Sequence, residues 1–100
     1  MAFPPAAEVD VFLATLGAKA EQKALTLLAE LRQANQVAEV DLMGRSLKAQ
    51  MKQAGRLGAK YVVVIGDDEI ERGVAVVRDM ASGDQTEVPL SELLSQLTVE

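Results

Sequence analysis

Five consecutive apolar residues at 61–65, with the sequence YVVVI, constrain the fold more than any other part of the chain. A strand with one solvent-exposed face alternates apolar and polar residues, whereas a strand buried on both faces is a continuous apolar run. The run therefore predicts a central parallel strand whose sheet carries helices on both faces. A chain of 100 residues is long enough for one such domain with a single core.

The flanking segments supply the other elements of an α/β domain. Apolar patterns and turn residues predict further strands at 9–16, 37–42, 73–79 and 85–89, and helices at 19–35, 46–57 and 90–97. The order β-α-β-α-β followed by β-β-α predicts three parallel strands plus an antiparallel hairpin, which together form a mixed five-stranded sheet. Residues 1–8 are expected to be a leader or linker, and 9–100 the domain.

The same patterns predict several packing details. In the helix at 19–35, the apolar stripe expected to face the core comprises Ala24, Leu25, Leu28 and Leu31, widened by Ala20, Leu27 and Ala34. Phe12 and Tyr61 lie in predicted strands and are expected inside. Gly55 interrupts a helix and is expected to mark a close contact. Helix ends are assigned to Ser46 and Ser91 as N-caps and to Gly58 as a left-handed cap.

Composition excludes several kinds of chemistry. The sequence contains no cysteine and no histidine, so thiolate catalysis, disulfides and the commonest general base are excluded. Glycine-rich nucleotide-binding motifs are absent as well. We therefore expect no catalytic residue, no metal and no cofactor in this domain. No apolar run approaches the roughly 20 residues that span a bilayer, so the sequence favours a cytoplasmic protein without a membrane partner.

Charge is distributed unevenly. The formal net charge is −5, yet half of the 10 basic residues fall between Asp41 and Asp67 with no acid among them. These residues are Arg45, Lys48, Lys52, Arg56 and Lys60. In an open α/β sheet, ligands collect at the carboxyl ends of the parallel strands. The basic helix and the acidic residues 67–69 both begin at that edge.

Cations beside carboxylates suit the recognition of unpaired bases. Lysine and arginine hold phosphate or read guanine acceptors, whereas a carboxylate accepts from base N–H donors. Arg78 could add a planar donor. Simpler interpretations also stand: a solvated basic helix face, carboxylates that start a short helix, or a magnesium site at 67–69 in an independent enzyme.

An ordered set of motifs resembles a known family. The set comprises Gly66-Asp67-Asp68-Glu69, then Val74-Ala75-Val76-Val77-Arg78, preceded by the segment RSLKAQMK at 45–52. It is similar to the C-terminal anticodon-binding domain of class II aminoacyl-tRNA synthetases, and most like the histidyl members from bacteria. The threonyl, prolyl and glycyl members remain alternatives. So does a synthetase-like regulatory subunit of histidine biosynthesis, which would be a protein-interaction domain.

The resemblance implies a partner and a division of labour. It implies binding of the anticodon loop of tRNA, with Lys52, Glu69 and Arg78 at positions that touch anticodon bases in related domains. Arg45 and Lys48 are added from their place on the basic helix. ATP and magnesium would belong to a catalytic domain of a longer parent, which is expected to be a homodimer, whereas this domain alone would be a monomer.

Overall fold

The computed structural model describes residues 9–40 and 46–97. The predicted leader at 1–8, the end of the second predicted strand at 41–42, and Arg45 lie outside the described residues. The elements are β1 Val11–Leu16, α1 Ala18–Gln33, β2 Ala38–Val40, α2 Leu47–Arg56, β3 Tyr61–Gly66, α3 Asp67–Arg72, β4 Val74–Asp79, β5 Gln85–Pro89 and α4 Leu90–Leu97.

The five strands form one mixed sheet in the order β2-β1-β3-β4-β5. β1 pairs in parallel with both β2 and β3, while β4 pairs antiparallel with β3 and with β5. The predicted fold class, three parallel strands extended by an antiparallel hairpin, is confirmed. The apolar run at 61–65 is the central strand, because β3 stands third in the order of five.

Each face of the sheet has its own apolar cluster. On one face, here called the α1 side, α1, α3 and α4 cover a cluster that includes Leu13, Val63, Ile65 and Ala75. On the other face, the α2 side, only α2 among the described helices contributes to the cluster, which includes Phe12, Ala14, Ala54 and Val62. Alternation along each strand therefore assigns every strand residue to one side or the other.

Some predicted boundaries shift in the structure. β1 begins at Val11 rather than at Val9, because the preceding two residues bond to loops: Val9 N–H donates to Leu57 C=O, and Asp10 accepts from Val37 N–H through its carboxylate. The expected turn at 66–69 is the first turn of α3. Of the alternatives, the one in which these carboxylates start a short helix is the one found.

Several packing expectations were wrong. Leu25 is 46% exposed and Ala34, just beyond the end of α1, is exposed, because the buried stripe of the helix follows Ala20, Ala24, Leu27 and Leu31. Tyr61 is 37% exposed, because it is the first residue of β3 and lies outside both apolar clusters. A Cβ on Gly55 would meet nothing within 4 Å, so no close contact explains that glycine. Ser91 is not an N-cap, since α4 already begins at Leu90.

Two predicted caps are confirmed. Ser46 Oγ accepts from Ala49 N–H at 3.3 Å at the start of α2, and Gly58 has a φ of 68° just beyond the end of that helix. Within 9–40 and 46–97, no helix is both long and apolar enough to cross a membrane.

Candidate nucleic-acid interface

The carboxylate of Glu69 lies over Gly66, at the carboxyl end of β3. A Cβ atom on Gly66 would lie 2.5 Å from Glu69 Oε1 and 3.8 Å from Leu16 Cβ. The Gly66 position points to the α2 side, because Val62 and Val64 on the same strand pack into the α2-side cluster. Although α3 packs on the α1 side, its Glu69 therefore reaches the opposite face of the sheet.

Arg72 links Glu69 to β5. Its Nη2 lies 3.4 Å from Glu69 Oε2, and its Nη1 lies 3.1 Å from Glu87 Oε2. Glu87 stands opposite Val76 in the β4–β5 ladder and belongs to the α2 side, since the next residue, Val88, packs on the α1 side. One guanidinium therefore contacts two carboxylates on the α2 side.

Asp67, two residues before Glu69, holds α1 in place. Asp67 Oδ1 accepts from Ala20 N–H at 3.1 Å. The residue before α1 is Gly17, which has no side chain to cap the helix and which has a φ of 123°. A Cβ on Gly17 would collide with the Asp67 carboxylate. Asp67 therefore supplies the missing cap from a distant part of the chain.

Arg78 lies on the α2 side of β4, since its neighbour Val77 packs on the α1 side. It stands opposite Val62 on β3 and Gln85 on β5. Val74 and Val76, on the same side of β4, are half-buried and belong to neither apolar cluster. We call this part of the α2 side the open sheet face, formed by Val74, Val76, Arg78, Gln85, Glu87 and Pro89.

The guanidinium of Arg78 has an unused donor. Its Nε is buried, and the described part of the chain offers it no hydrogen-bond partner. A buried donor without a partner costs about 1–3 kcal/mol, so such groups require an explanation. Arg78 is well below the carboxyl edge of the sheet. Its neighbour Val62 lies four residue steps before Gly66, or about 13 Å along the strand at about 3.3 Å per residue.

The cations of α2 point away from the sheet. Lys48, Lys52 and Arg56 are exposed, whereas Gln50 and Ala54 on the same helix are buried. With a rise of about 1.5 Å per residue, the three cations are about 6 Å apart along the helix. No ion pair found among the described residues involves any of them.

Gln50 fixes α2 on the sheet. Its side chain is buried and makes two hydrogen bonds to the backbone of Thr15: Oε1 accepts from the N–H at 2.8 Å, and Nε2 donates to the C=O at 2.9 Å. Among the described residues, pairing between β1 and β2 ends at Leu13 opposite Val40. The Gln50 amide thus hydrogen-bonds β1 backbone groups beyond the last described β1–β2 pair. These bonds fix the position of α2 along β1, near the carboxyl end of that strand.

Four of the five predicted site residues share the α2 side: Lys48, Lys52, Glu69 and Arg78. The fifth, Arg45, lies outside the described residues. Within the described ranges, no hydrogen bond or ion pair joins the α2 cations to Glu69. The predicted site residues on the α2 side are therefore separate charged groups rather than one cluster. That these residues contact RNA stays a prediction.

The carboxylates at 67–69 are not arranged as a metal site. Asp67 turns toward the start of α1, while Glu69 turns toward Arg72 on the other side of the sheet. In the ranges that the structure describes, no group of three acidic, histidine or cysteine side chains is arranged to hold a metal ion.

Sequence reasoning missed Gln50, Arg72 and Glu87. The spacing of Glu69 and Arg72, three residues apart on a helix, is a readable signal for a side-chain pair. The contact of Arg72 with Glu87 depends on the register of β5, and the contact of Gln50 with Thr15 depends on how α2 sits over β1. Neither follows from local spacing.

Curated relatives with this sequence pattern are histidine–tRNA ligases. That of Acetivibrio thermocellus is 50% identical over 95 residues, which cover 95% of this chain and 23% of the relative. That of Desulforamulus reducens is 51% identical over 92 residues, which cover 92% of this chain and 22% of the relative. The chain thus spans somewhat under a quarter of the length of these relatives.

Solved structures repeat the same architecture. Apo histidyl-tRNA synthetase from S. aureus matches with a TM-score of 0.87 and 38% identity, over 92% of this chain and 24% of that one. The RNA binding domain of threonyl-tRNA synthetase from Cryptosporidium parvum, at 16% identity and a TM-score of 0.79 over 91% of this chain and 23% of that one, shares the fold alone. The fold class is therefore that of the α/β domains of class II aminoacyl-tRNA synthetases. Within that class, the chain belongs to the anticodon binding domain family, whose model matches residues 10–100.

Proposed function

We propose that this chain is the anticodon-binding domain of a histidine–tRNA ligase and that it binds the anticodon loop of tRNA on the α2 side of its sheet. The observation that carries the proposal is the 50% identity to a histidine–tRNA ligase over 95 residues. That level of similarity extends over nearly the whole described domain. The threonyl neighbour, at 16% identity, supports no comparable assignment.

In this proposal the α2 side divides into a phosphate part and a base part. Lys48 and Lys52 project into solvent and hold the RNA backbone, as lysine does at phosphates. Glu69 and Arg78 inspect base edges: a carboxylate accepts from base N–H groups, and a guanidinium donates to N7 and O6. Arg45, placed by sequence just before α2, would extend the phosphate part.

The open sheet face suits splayed bases. Val74 and Val76 present half-buried apolar surface between Glu69 at one end and Arg78 at the other. The β3 neighbours of these two charged residues, Gly66 and Val62, are four residue steps apart, or about 13 Å along the strand. That length of strand leaves room for more than one unstacked base. Tyr61, the exposed aromatic among residues 9–40 and 46–97, lies on the α1 side by strand alternation, so stacking here would use the Arg78 guanidinium plane.

Chemistry would lie elsewhere in a longer protein. The relatives are about four times as long as the matched segment, and ATP, magnesium, amino acid and dimer contacts are assigned in this proposal to the part outside it. The domain itself would contribute tRNA recognition without a catalytic residue, in a cytoplasmic enzyme. In this proposal the domain binds neither a metal ion nor ATP.

The test is a fluorescence titration of the chain with labelled anticodon stem-loops. One stem-loop carries a histidine anticodon, and the others carry single-base replacements within it. Glu69→Ala should reduce the ratio of affinities between cognate and replaced anticodons more than it reduces overall affinity. Lys52→Ala should weaken the binding of all stem-loops alike. It should also reduce the salt slope, which is the slope of log affinity against log salt concentration, by roughly one unit.

A matched control is Lys23→Ala. Lys23 lies on α1, on the opposite side of the sheet, and its loss changes the net charge by the same amount as the loss of Lys52. If Lys23→Ala and Lys52→Ala weaken binding equally, the α2 side is not the interface. If the chain binds all anticodons equally before any substitution, the proposed recognition is wrong.

A further inference from the structure

We propose that Gly66 and Arg72 are specificity-determining positions that fix where the Glu69 carboxylate stands, with Arg72 acting as a positioning residue. The inference rests on the proposed function, because it assigns these two residues to base recognition by Glu69. Neither Gly66 nor Arg72 would itself contact a base. Together they restrict the flexible Glu69 side chain, near the start of a short helix, so that its carboxylate occupies one position.

Gly66 provides the space. Glu69 Oε1 occupies the volume that a Cβ would take at Gly66, since the two atoms would be 2.5 Å apart. Gly66 has a φ of −113°, which any residue adopts, so the backbone does not require glycine at this position. The Cβ would find no other atom closer than 3.6 Å, and that atom is also part of Glu69. The absence of a side chain therefore serves the carboxylate alone.

Arg72 provides the direction. It contacts the Oε2 atom of Glu69 at 3.4 Å and Glu87 at 3.1 Å, which leaves Oε1 as the oxygen that faces Gly66 and the α2 side. The Glu69 side chain is 21% exposed, against 53% for Glu87 and 56% for Arg72. The arginine thus covers one oxygen of a mostly sheltered carboxylate, and the other oxygen keeps its acceptor capacity.

Arg72 also reduces the electrostatic repulsion between the anionic RNA and the two carboxylates that it contacts. Glu69 and Glu87 together place two carboxylates on the α2 side, which by themselves would repel phosphates. Arg72 offsets one of these charges at a distance where an ion pair forms. Stability alone does not account for the arrangement, since ion pairs whose arginine is largely exposed to water contribute little to folding.

The inference is tested with Gly66→Ala and Arg72→Gln in the stem-loop titration, beside Glu69→Ala. Gly66→Ala displaces the carboxylate and Arg72→Gln releases it, so both should lower the cognate-to-replaced affinity ratio by about fivefold or more, toward the ratio of Glu69→Ala. In a Glu69→Ala background, neither substitution should lower the ratio further. The salt slope of Arg72→Gln should match that of the parent chain.

Two matched controls accompany the test. Gly55→Ala fills an exposed helix glycine that touches nothing, and Lys19→Ala removes a different ion pair to α3, that with Glu71 at 3.9 Å. Both should leave the affinity ratio unchanged. Circular dichroism confirms that each variant is folded, and Arg72→Gln, at an exposed site, keeps the test open if Gly66→Ala fails to fold.

The outcomes distinguish a failure of the positioning roles of Gly66 and Arg72 from a failure of the proposed anticodon recognition. If Glu69→Ala lowers the ratio while Gly66→Ala or Arg72→Gln leaves it unchanged, the positioning roles are wrong and the proposed function stands. If the salt slope of Arg72→Gln falls by about one unit, Arg72 contacts phosphate directly and the positioning role is overturned. If Glu69→Ala itself has no effect on the ratio, base recognition at this site is wrong.

Discussion

Replacing Gln50 with methionine should destabilise the domain more than a helix-surface substitution does. Gln50 is 1% exposed and Thr15 is 5% exposed, so neither side chain has ready access to water. Methionine has nearly the same length and shape but cannot make the two hydrogen bonds to the Thr15 backbone. The substitution therefore leaves a buried N–H and a buried C=O without these partners.

The magnitude follows from the two bonds. A buried polar group that loses its partner costs about 1–3 kcal/mol, so two groups cost about 2–6 kcal/mol. Better burial of the apolar methionine side chain offsets part of this cost, and we expect a net loss of about 2–4 kcal/mol. For a domain of this size, each kcal/mol lowers the melting temperature by about 4–8 °C. The expected decrease is therefore at least about 8 °C.

The assay is urea and thermal unfolding followed by circular dichroism. The matched control is Gln53→Met, because Gln53 is half-buried on the same helix, and its substitution should change the unfolding free energy by less than about 0.5 kcal/mol. A loss below about 1 kcal/mol for Gln50→Met would refute the reasoning, since Thr15 would then have found other partners at little cost.

Three further substitutions test the structure. Asp67→Ala removes the cap of α1 and should cost about 0.5–2 kcal/mol in chemical denaturation; no change would mean that Ala20 N–H is satisfied without it. Gly55→Ala should raise the unfolding free energy by about 0.5–1 kcal/mol, because the site is helical and unobstructed. Gly73→Ala should lower it by about 1 kcal/mol in the same assay, because Gly73 has a φ of 72° at the end of α3; a gain there would contradict the left-handed assignment.

The sheet could be predicted because its signals are local and regular. The continuous apolar run marked the central strand, turn residues marked the hairpin, and helical periodicity separated the crossovers. The caps at Ser46 and Gly58 depend only on neighbouring residues, and both were predicted correctly. Tyr61 was placed inside because periodicity locates a strand but does not show where the covering helices stop.

The site was harder because its contacts join distant segments. Asp67 caps a helix 47 residues earlier in the chain, and Gln50 binds a strand 35 residues away. Both depend on how helices settle on the sheet. Motif reasoning grouped Asp67 with Glu69 as one acidic cluster, whereas the two carboxylates serve opposite sides of the sheet. One short motif thus combines a structural residue and a candidate recognition residue.

The outer strand β5 limits unwanted self-association at its edge of the sheet. An unpaired strand edge is a template for aggregation, and proteins guard against it with short strands, proline and charge. Here β5 carries Glu87 and ends at Pro89, which lacks a backbone N–H. The β5 edge is therefore a poor template for edge-to-edge pairing with a second copy at high local concentration.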